Sequence, residues 1–273
     1  MSVGISLHRQ ARRLWRLAGL LGHVVAGVIA AHALFALLAI SRTDPRGHTR
    51  RAIIRWWCRG VLRILRVQVT QRGEIEHGAV LYTANHISWL DIPCLGAALD
   101  AAFVSKADVL RWPVIGALAR QAGSIFLRRG EADASAHTAD RMTWTLTARR
   151  GVIVFPEGTT TDGRGTSHFH ARLYQAATRT GSLTQAIAIR YPHPERDDDV
   201  HPHAPFIGDD TLGGHLWKLL AEDSIAVVLH YCAPVAPTGM SRRALAERAR
   251  EQIEAVLPSP GGLPIASRIG DRG

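Results

Sequence analysis

The chain has 273 residues, with 33 Lys and Arg against 23 Asp and Glu and a formal net charge of +10. Lys106 and Lys218 are its only lysines, so the excess is arginine, whose planar fork suits phosphate; an arginine-rich genome would give the same total. Cys58, Cys94 and Cys232 lie far apart with no CxxC pair, which indicates neither a disulfide framework nor a zinc site and fits a reducing cytosol.

Leu17 to Ile40 contains no Asp, Glu, Lys or Arg and is long enough to cross a bilayer as a helix. Many of its residues are Ala and Gly, and it carries no convincing small-residue cleavage pattern. It therefore reads as a membrane anchor, spanning or partly inserted. Arg9, Arg12, Arg13 and Arg16 precede it, and a richer run from Arg42 to Arg66 follows; by the positive-inside tendency the richer side is cytoplasmic. Within that run Arg51, Arg55, Arg59 and Arg63 recur every four residues, with Ile53, Trp57, Val61 and Leu65 on the opposite face. Such a basic amphipathic helix lies on an anionic membrane surface, or else covers a soluble domain. Residues 1–66 are accordingly assigned to the anchor and basic helix.

From Val67 onward, short β-rich runs alternate with helical stretches. The runs are Val67 to Val69, Ala79 to Thr83, Phe103 to Val104, Ser124 to Leu127, Val152 to Phe155, Ala186 to Tyr191 and Ile225 to Tyr231. Helical patterns lie near Ile92 to Leu99, Trp112 to Gln121, Ala132 to Arg149, Ala171 to Arg179, Thr211 to Leu220 and Arg242 to Leu257. The expected fold class is α/β, a single domain over residues 67–257 with a mixed, largely parallel sheet flanked by helices. Pro192 to Pro205 reads as a polar loop whose histidines match no metal spacing, and residues 258–273 as a flexible tail.

The most informative segment is Asn85 to Ile92, which follows the apolar run from Ala79 to Tyr82. His86 then emerges at the carboxyl end of a buried strand, where open α/β sheets bind ligands. Asp91 comes five positions later; on one continuous helix that spacing points side chains ~140° apart. The two can meet only if the chain turns between them, and Asp91 before Pro93 suits a helix start there. A histidine held by a carboxylate is a general base poised near neutral pH. A second block, Phe155 to Thr159, again follows an apolar run, and Gly123 to Arg129 lies between the two.

The ordered motifs NHxSxxD, GxIFxxR and FPEGT resemble those of the glycerolipid acyltransferase family, over roughly residues 65 to 257. The resemblance implies transfer of an acyl group from a thioester, carried by coenzyme A or acyl carrier protein, to a lysolipid hydroxyl, without cofactor, metal or acyl-enzyme. His86 would take the hydroxyl proton and Asp91 fix its tautomer. Arg129 matches the family's phosphate-contacting arginine, and Lys106 a basic position of the family. Glu157, Gly158 and Thr159 would complete the substrate site, Glu157 by accepting hydrogen bonds from the acceptor or by organising the basic groups. Ser88 would serve as a hydrogen-bonding residue and not as a nucleophile, since no GxSxG elbow is present. Amides near Gly158 could help a tetrahedral oxyanion.

Two departures bear on the acceptor. Thr160 stands where many members that make phosphatidic acid have arginine, and Phe169-His170-Ala171-Arg172 stands where they carry Lys and Gly. FPEGTTTDG, with Phe206 to Leu212, is similar to the branch of lyso-ornithine lipid acyltransferases. The family at large favours 1-acyl-sn-glycerol-3-phosphate as acceptor, giving phosphatidic acid in phospholipid biosynthesis; lyso-ornithine lipid is the rival. Hydrolysis of an acyl ester or thioester is a further alternative. The implied setting is the bacterial inner membrane, with the catalytic domain on the cytoplasmic side and membrane lipids as partners. A nucleic-acid partner is not expected, because the arginines cluster beside an apolar run without a binding motif.

Overall fold

The computed structural model describes residues 2–41, 48–111, 116, 119, 120, 123–127, 134–196 and 199–258. Arg129, most of the helical stretch expected from Trp112 to Gln121, and the tail beyond Pro258 lie outside the described residues. Two helices come first, α1 (Ser2–Ser41) and α2 (His48–Ile64). They lead into β1 (Val67–Arg72), β2 (Leu81–Ala84), α3 (Asp91–Ala98), β3 (Ala101–Lys106) and β4 (Ile125–Leu127). Then follow α4 (Ala134–Thr147), β5 (Gly151–Val154), a 3₁₀ turn (Ala171–Tyr174), α5 (Gln175–Thr180), β6 (Thr184–Arg190), α6 (Leu212–Leu219), β7 (Ile225–Tyr231) and α7 (Arg242–Glu254).

Among the described residues, seven strands form one sheet in the order β1-β7-β6-β2-β5-β3-β4. Every pairing is parallel except β6 with β7. Short apolar runs become central strands because both faces of this sheet are covered. Alternation along β5 and β6 shows it: Ile153, Ile187 and Ile189 belong to a core with Val61, Leu65, Leu90 and Leu95. Val152, Val154, Ala186 and Ala188 face a second core with Met142, Leu146, Leu245 and Ile253. One face is thus covered by α2 and α3, the other by α4 and α7.

The sheet order brings the separate motifs to one edge. β2 lies between β5 and β6, parallel to both, with Thr83 beside Val154 and Ala186. β3 runs parallel to β5, and Lys106 ends it beside Leu127 of β4. The segments after β2 and β5, the end of β3 and the residue after β6 therefore meet at the carboxyl ends of neighbouring strands.

The N-terminal helices depart from a simple anchor. Half of α2's apolar face is consumed by the domain: Cys58, Val61 and Leu62 are buried, and Gly96 of α3 leaves room for the Cys58 sulfur. Arg51 pairs with Asp100 at 2.7 Å. An apolar helix face suits a protein core as well as lipid, and here the core takes Val61 and Leu65 in place of the membrane surface. On α1, Arg16 is buried and donates to the carbonyls of Leu220 (3.2 Å), Glu222 (2.6 Å) and Asp223 (3.3 Å). Arg12 pairs with Asp223 and Arg13 lies over the Trp217 ring. These arginines hold α1 to the turn after α6. His8–Ala33 is long and apolar enough to cross a membrane. Leu14, Leu21, Val25 and Ile29 form an exposed stripe along it.

Candidate active site

After Ala84 the chain leaves the sheet. Asn85 keeps it aligned with β6 by donating from Nδ2 to the Ile189 carbonyl (3.0 Å) and accepting the Ile189 amide (2.7 Å). The Asp91 amide then donates to the Ser88 carbonyl, closing a turn that starts α3. That turn folds Asp91 back onto His86, and Nδ1 of the ring lies 2.8 Å from Oδ2 of the carboxylate. The carboxylate oxygen accepts, so Nδ1 carries the proton and Nε2 keeps its lone pair.

Asp91 is fully buried, and its carboxylate accepts from four donors. Oδ2 accepts the amides of Ile87 (2.8 Å) and Ser88 (3.0 Å) besides the His86 ring. Oδ1 accepts the hydroxyl of Tyr191 at 2.6 Å. Burial beside Asp91 pushes the Tyr191 phenol well above its ordinary range, so it remains a donor. Tyr191 directly follows β6 and is legible in the sequence as the end of an apolar run, without any sign of its partner. Ser88 acts through its amide; its buried Oγ has no hydrogen-bond partner among the described residues. The hydrogen-bonding role expected of Ser88 is therefore carried by its main chain, through the Asp91 oxygen it shares with the His86 ring.

The Phe155–Thr161 segment wraps the same histidine. Phe155 stacks on the His86 ring, with centroids 4.0 Å apart and planes at 17°. Glu157 is buried; Oε1 accepts the His86 amide (2.8 Å), and Oε2 accepts the amide (2.8 Å) and hydroxyl (3.0 Å) of Ser167. Burial raises its carboxyl above the ordinary value, opposed by these bonds from Ser167 and His86. In this arrangement Glu157 binds protein groups that position the base. The Thr161 amide donates to the His86 carbonyl at 2.8 Å. Gly158 has φ +68°, the left-handed region that favours glycine. Thr159 is exposed beside it. The hydroxyl of Thr160 donates to the carbonyl of Phe206, whose amide in turn donates to Ile87.

Trp89, in the same turn, donates from Nε1 to Nδ1 of His215 (3.0 Å), and His215 Nε2 donates to the Pro205 carbonyl (3.0 Å). Both ring positions are used in the neutral form, and burial lowers the His215 pKa accordingly.

Beside Phe155 and Gly158 opens a cavity of about 490 Å³. Val104, Leu127, Met142, Val154 and Leu173 give it an apolar wall, and Lys106 lies on its rim. The exposed end of β3 thus delivers one of the two expected basic groups to the site. Phe155 separates this cavity from the His86 ring and touches both.

Residues 66–190 match the family model for the acyltransferase domain. The chain is 37% identical over 249 residues to the lyso-ornithine lipid O-acyltransferase of Pseudomonas aeruginosa, covering 90% of this chain and 93% of that protein. The chain belongs to the acyltransferase family. It is also 30% identical over 210 residues to the 1-acyl-sn-glycerol-3-phosphate acyltransferase of Neisseria meningitidis serogroup B, covering 76% of this chain and 81% of the relative. The fold is that of the crystal structure of the acyltransferase PlsC from Thermotoga maritima, with a TM-score of 0.61 at 19% identity, covering 89% of this chain and 95% of that one.

Proposed function

We propose that the chain moves a fatty acyl group from a thioester to the hydroxyl of a lysolipid, with lyso-ornithine lipid as the preferred acceptor. His86 Nε2 takes the hydroxyl proton as the oxygen attacks the thioester carbonyl. The tetrahedral species then collapses with loss of the thiolate, which recovers the proton from the imidazolium. Asp91 stabilises that imidazolium and holds the tautomer. The amides of Thr159 and Thr160 have no hydrogen-bond acceptor among the described residues, which supports their use as oxyanion donors.

The observation that carries the reading is the His86–Asp91 pair beside an apolar cavity with a basic rim. The acceptor preference draws support from the extent of the Pseudomonas aeruginosa match and reverses the order that family size alone suggests. Thr160 supports it too, since no arginine charge is present at that point. The second reading, 1-acyl-sn-glycerol-3-phosphate as acceptor, is favoured by the Neisseria meningitidis relative and by Lys106 at the rim. Membrane association rests on α1 with its exposed apolar stripe; the inner membrane, with a cytoplasmic catalytic domain, is part of the same proposal.

The test compares both acceptors on purified full-length protein with one acyl donor. Because Thr160 also tethers Phe206, Thr160→Val serves as control for Thr160→Arg. Lyso-ornithine lipid should give the higher kcat/KM, and Thr160→Arg, but not Thr160→Val, should shift preference toward the phosphate acceptor. A large parental preference for 1-acyl-sn-glycerol-3-phosphate would establish the second reading, and product formed without any acceptor would establish hydrolysis.

A further inference from the structure

The rim of the cavity beside Phe155 is cationic beyond Lys106. Arg172 comes from the 3₁₀ turn, Arg242 and Arg243 from the first turn of α7, and His168 and His170 from the segment that leads into the 3₁₀ turn. None of the described residues lining this cavity is Asp or Glu. Elsewhere on the surface arginines are commonly paired, as Arg164 is with Asp199 and Arg179 with Asp140. Arg172 and Arg243, both exposed, have no acidic partner among the described residues, and Arg242 reaches only the amide oxygen of Gln175, at 3.4 Å. Like charges gathered at one mouth repel one another and focus a positive potential into it.

The position of this rim matters as much as its charge. His170 donates its amide to the Pro156 carbonyl at 2.9 Å, and its ring lies 3.5 Å from where a Cβ on Gly158 would stand. The cationic rim is therefore tied to the turn that carries Phe155 against the His86 ring. An apolar wall and an anion-seeking mouth in one cavity match an amphiphile with a negatively charged head. Arg172 lies within residues 66–190, the span of the family model, whereas Arg242 and Arg243 of α7 lie beyond it.

We infer that Arg172, Arg242 and Arg243, with His168 and His170, form a binding subsite for a phosphate or carboxylate group of a substrate that reacts at His86. The inference rests on acyl transfer at His86 and adds the group that recognises one substrate. The anion has two possible sources: the phosphates of the donor's carrier arm, or the acceptor's headgroup.

The experiment uses purified full-length protein in detergent and the double variants Arg172→Ala/Arg243→Ala and Arg172→Lys/Arg243→Lys. Steady-state constants are measured with an acyl-coenzyme A, with the same acyl group on N-acetylcysteamine, which has no phosphate, and with each of the two lysolipids as the varied acceptor. The alanine pair should raise the KM of one substrate at least tenfold with kcat within twofold, and the lysine pair should recover part of it. A rise for acyl-coenzyme A, but not for the cysteamine thioester, assigns the subsite to the donor phosphates. A rise confined to a lysolipid assigns it to that headgroup. Direct titration with free coenzyme A and with each lysolipid reads the same loss without turnover, so an inactive parent counts against the proposed reaction and leaves the binding result decisive. If no KM or dissociation constant moves more than twofold, or if all weaken by one common factor, there is no such subsite.

Discussion

The main-chain N–H of His86 donates to Oε1 of Glu157 at 2.8 Å. The bond joins two segments 71 residues apart and makes a buried carboxylate part of the base's mounting. Glu157→Ala would leave the His86 amide and both Ser167 donors without that acceptor. A buried donor left unpaired costs about 1–3 kcal/mol, so a lower Tm is expected together with a fall in kcat. Glu157→Gln keeps one acceptor oxygen and should lose less. Thermal unfolding and steady-state kinetics check this; unchanged stability with only the acceptor's KM raised would assign Glu157 to substrate instead.

Removing the base should be more severe. His86→Ala is expected to lower kcat by roughly 10²–10⁴-fold, the usual contribution of a positioned general base, in a protein whose circular dichroism is unchanged. Turnover near the parental rate would refute base catalysis by His86.

Tyr191 touches Asp91 and not the reacting atoms, which makes it a positioning residue. Tyr191→Phe removes one donor from Asp91 Oδ1 and nothing else of comparable size. The expected result is about a tenfold drop in kcat, the effect of ~1.4 kcal/mol, with KM unchanged and a displaced pH–rate profile. A merely structural tyrosine would lower Tm without moving that profile.

His215 supplies a pH dependence of stability. Burial depresses its folded-state pKa below the ordinary value of 6.5, so folding favours the neutral ring. The contribution is present above pH 6.5 and is lost as the pH falls through the depressed folded value. Burial likewise lowers His201 and His230, so the reading is a difference between variants. Urea unfolding at pH 7.5 and 5.5 should show a larger loss for the parent than for His215→Phe. Equal losses would mean that the Trp89–His215–Pro205 bridge does not titrate.

Arg16 fixes the N-terminal helix to the catalytic domain through three carbonyls. Arg16→Leu should destabilise that docking by roughly 1.5–3 kcal/mol, the range for a hydrogen bond to a charged group. Proteolysis between α1 and α2 should then accelerate while membrane binding persists through the exposed apolar stripe. If Arg16→Leu also released the protein from vesicles, the docked half of α1 would be the membrane contact.

Local sequence carried a good deal of this protein. Seven apolar runs became the seven strands, because a short run of β-branched and aliphatic residues buries well only when both faces are covered. The turn between His86 and Asp91 was required by their spacing, since no straight helix brings such positions together. The Thr160 and Phe169–Arg172 departures could also be read directly, because identity at a motif position is local information. The tertiary structure alone decided that β2 lies between β5 and β6, which is what sets Glu157 under His86 and Tyr191 against Asp91. It alone turned the Val61 and Leu65 face of α2 into core, and sent Arg16 to carbonyls more than two hundred positions away. Periodicity reports that a face is apolar or a side chain charged. Which partner satisfies it, lipid, core or distant carbonyl, depends on strand order and helix docking, and those are set by long-range packing that no window of sequence contains.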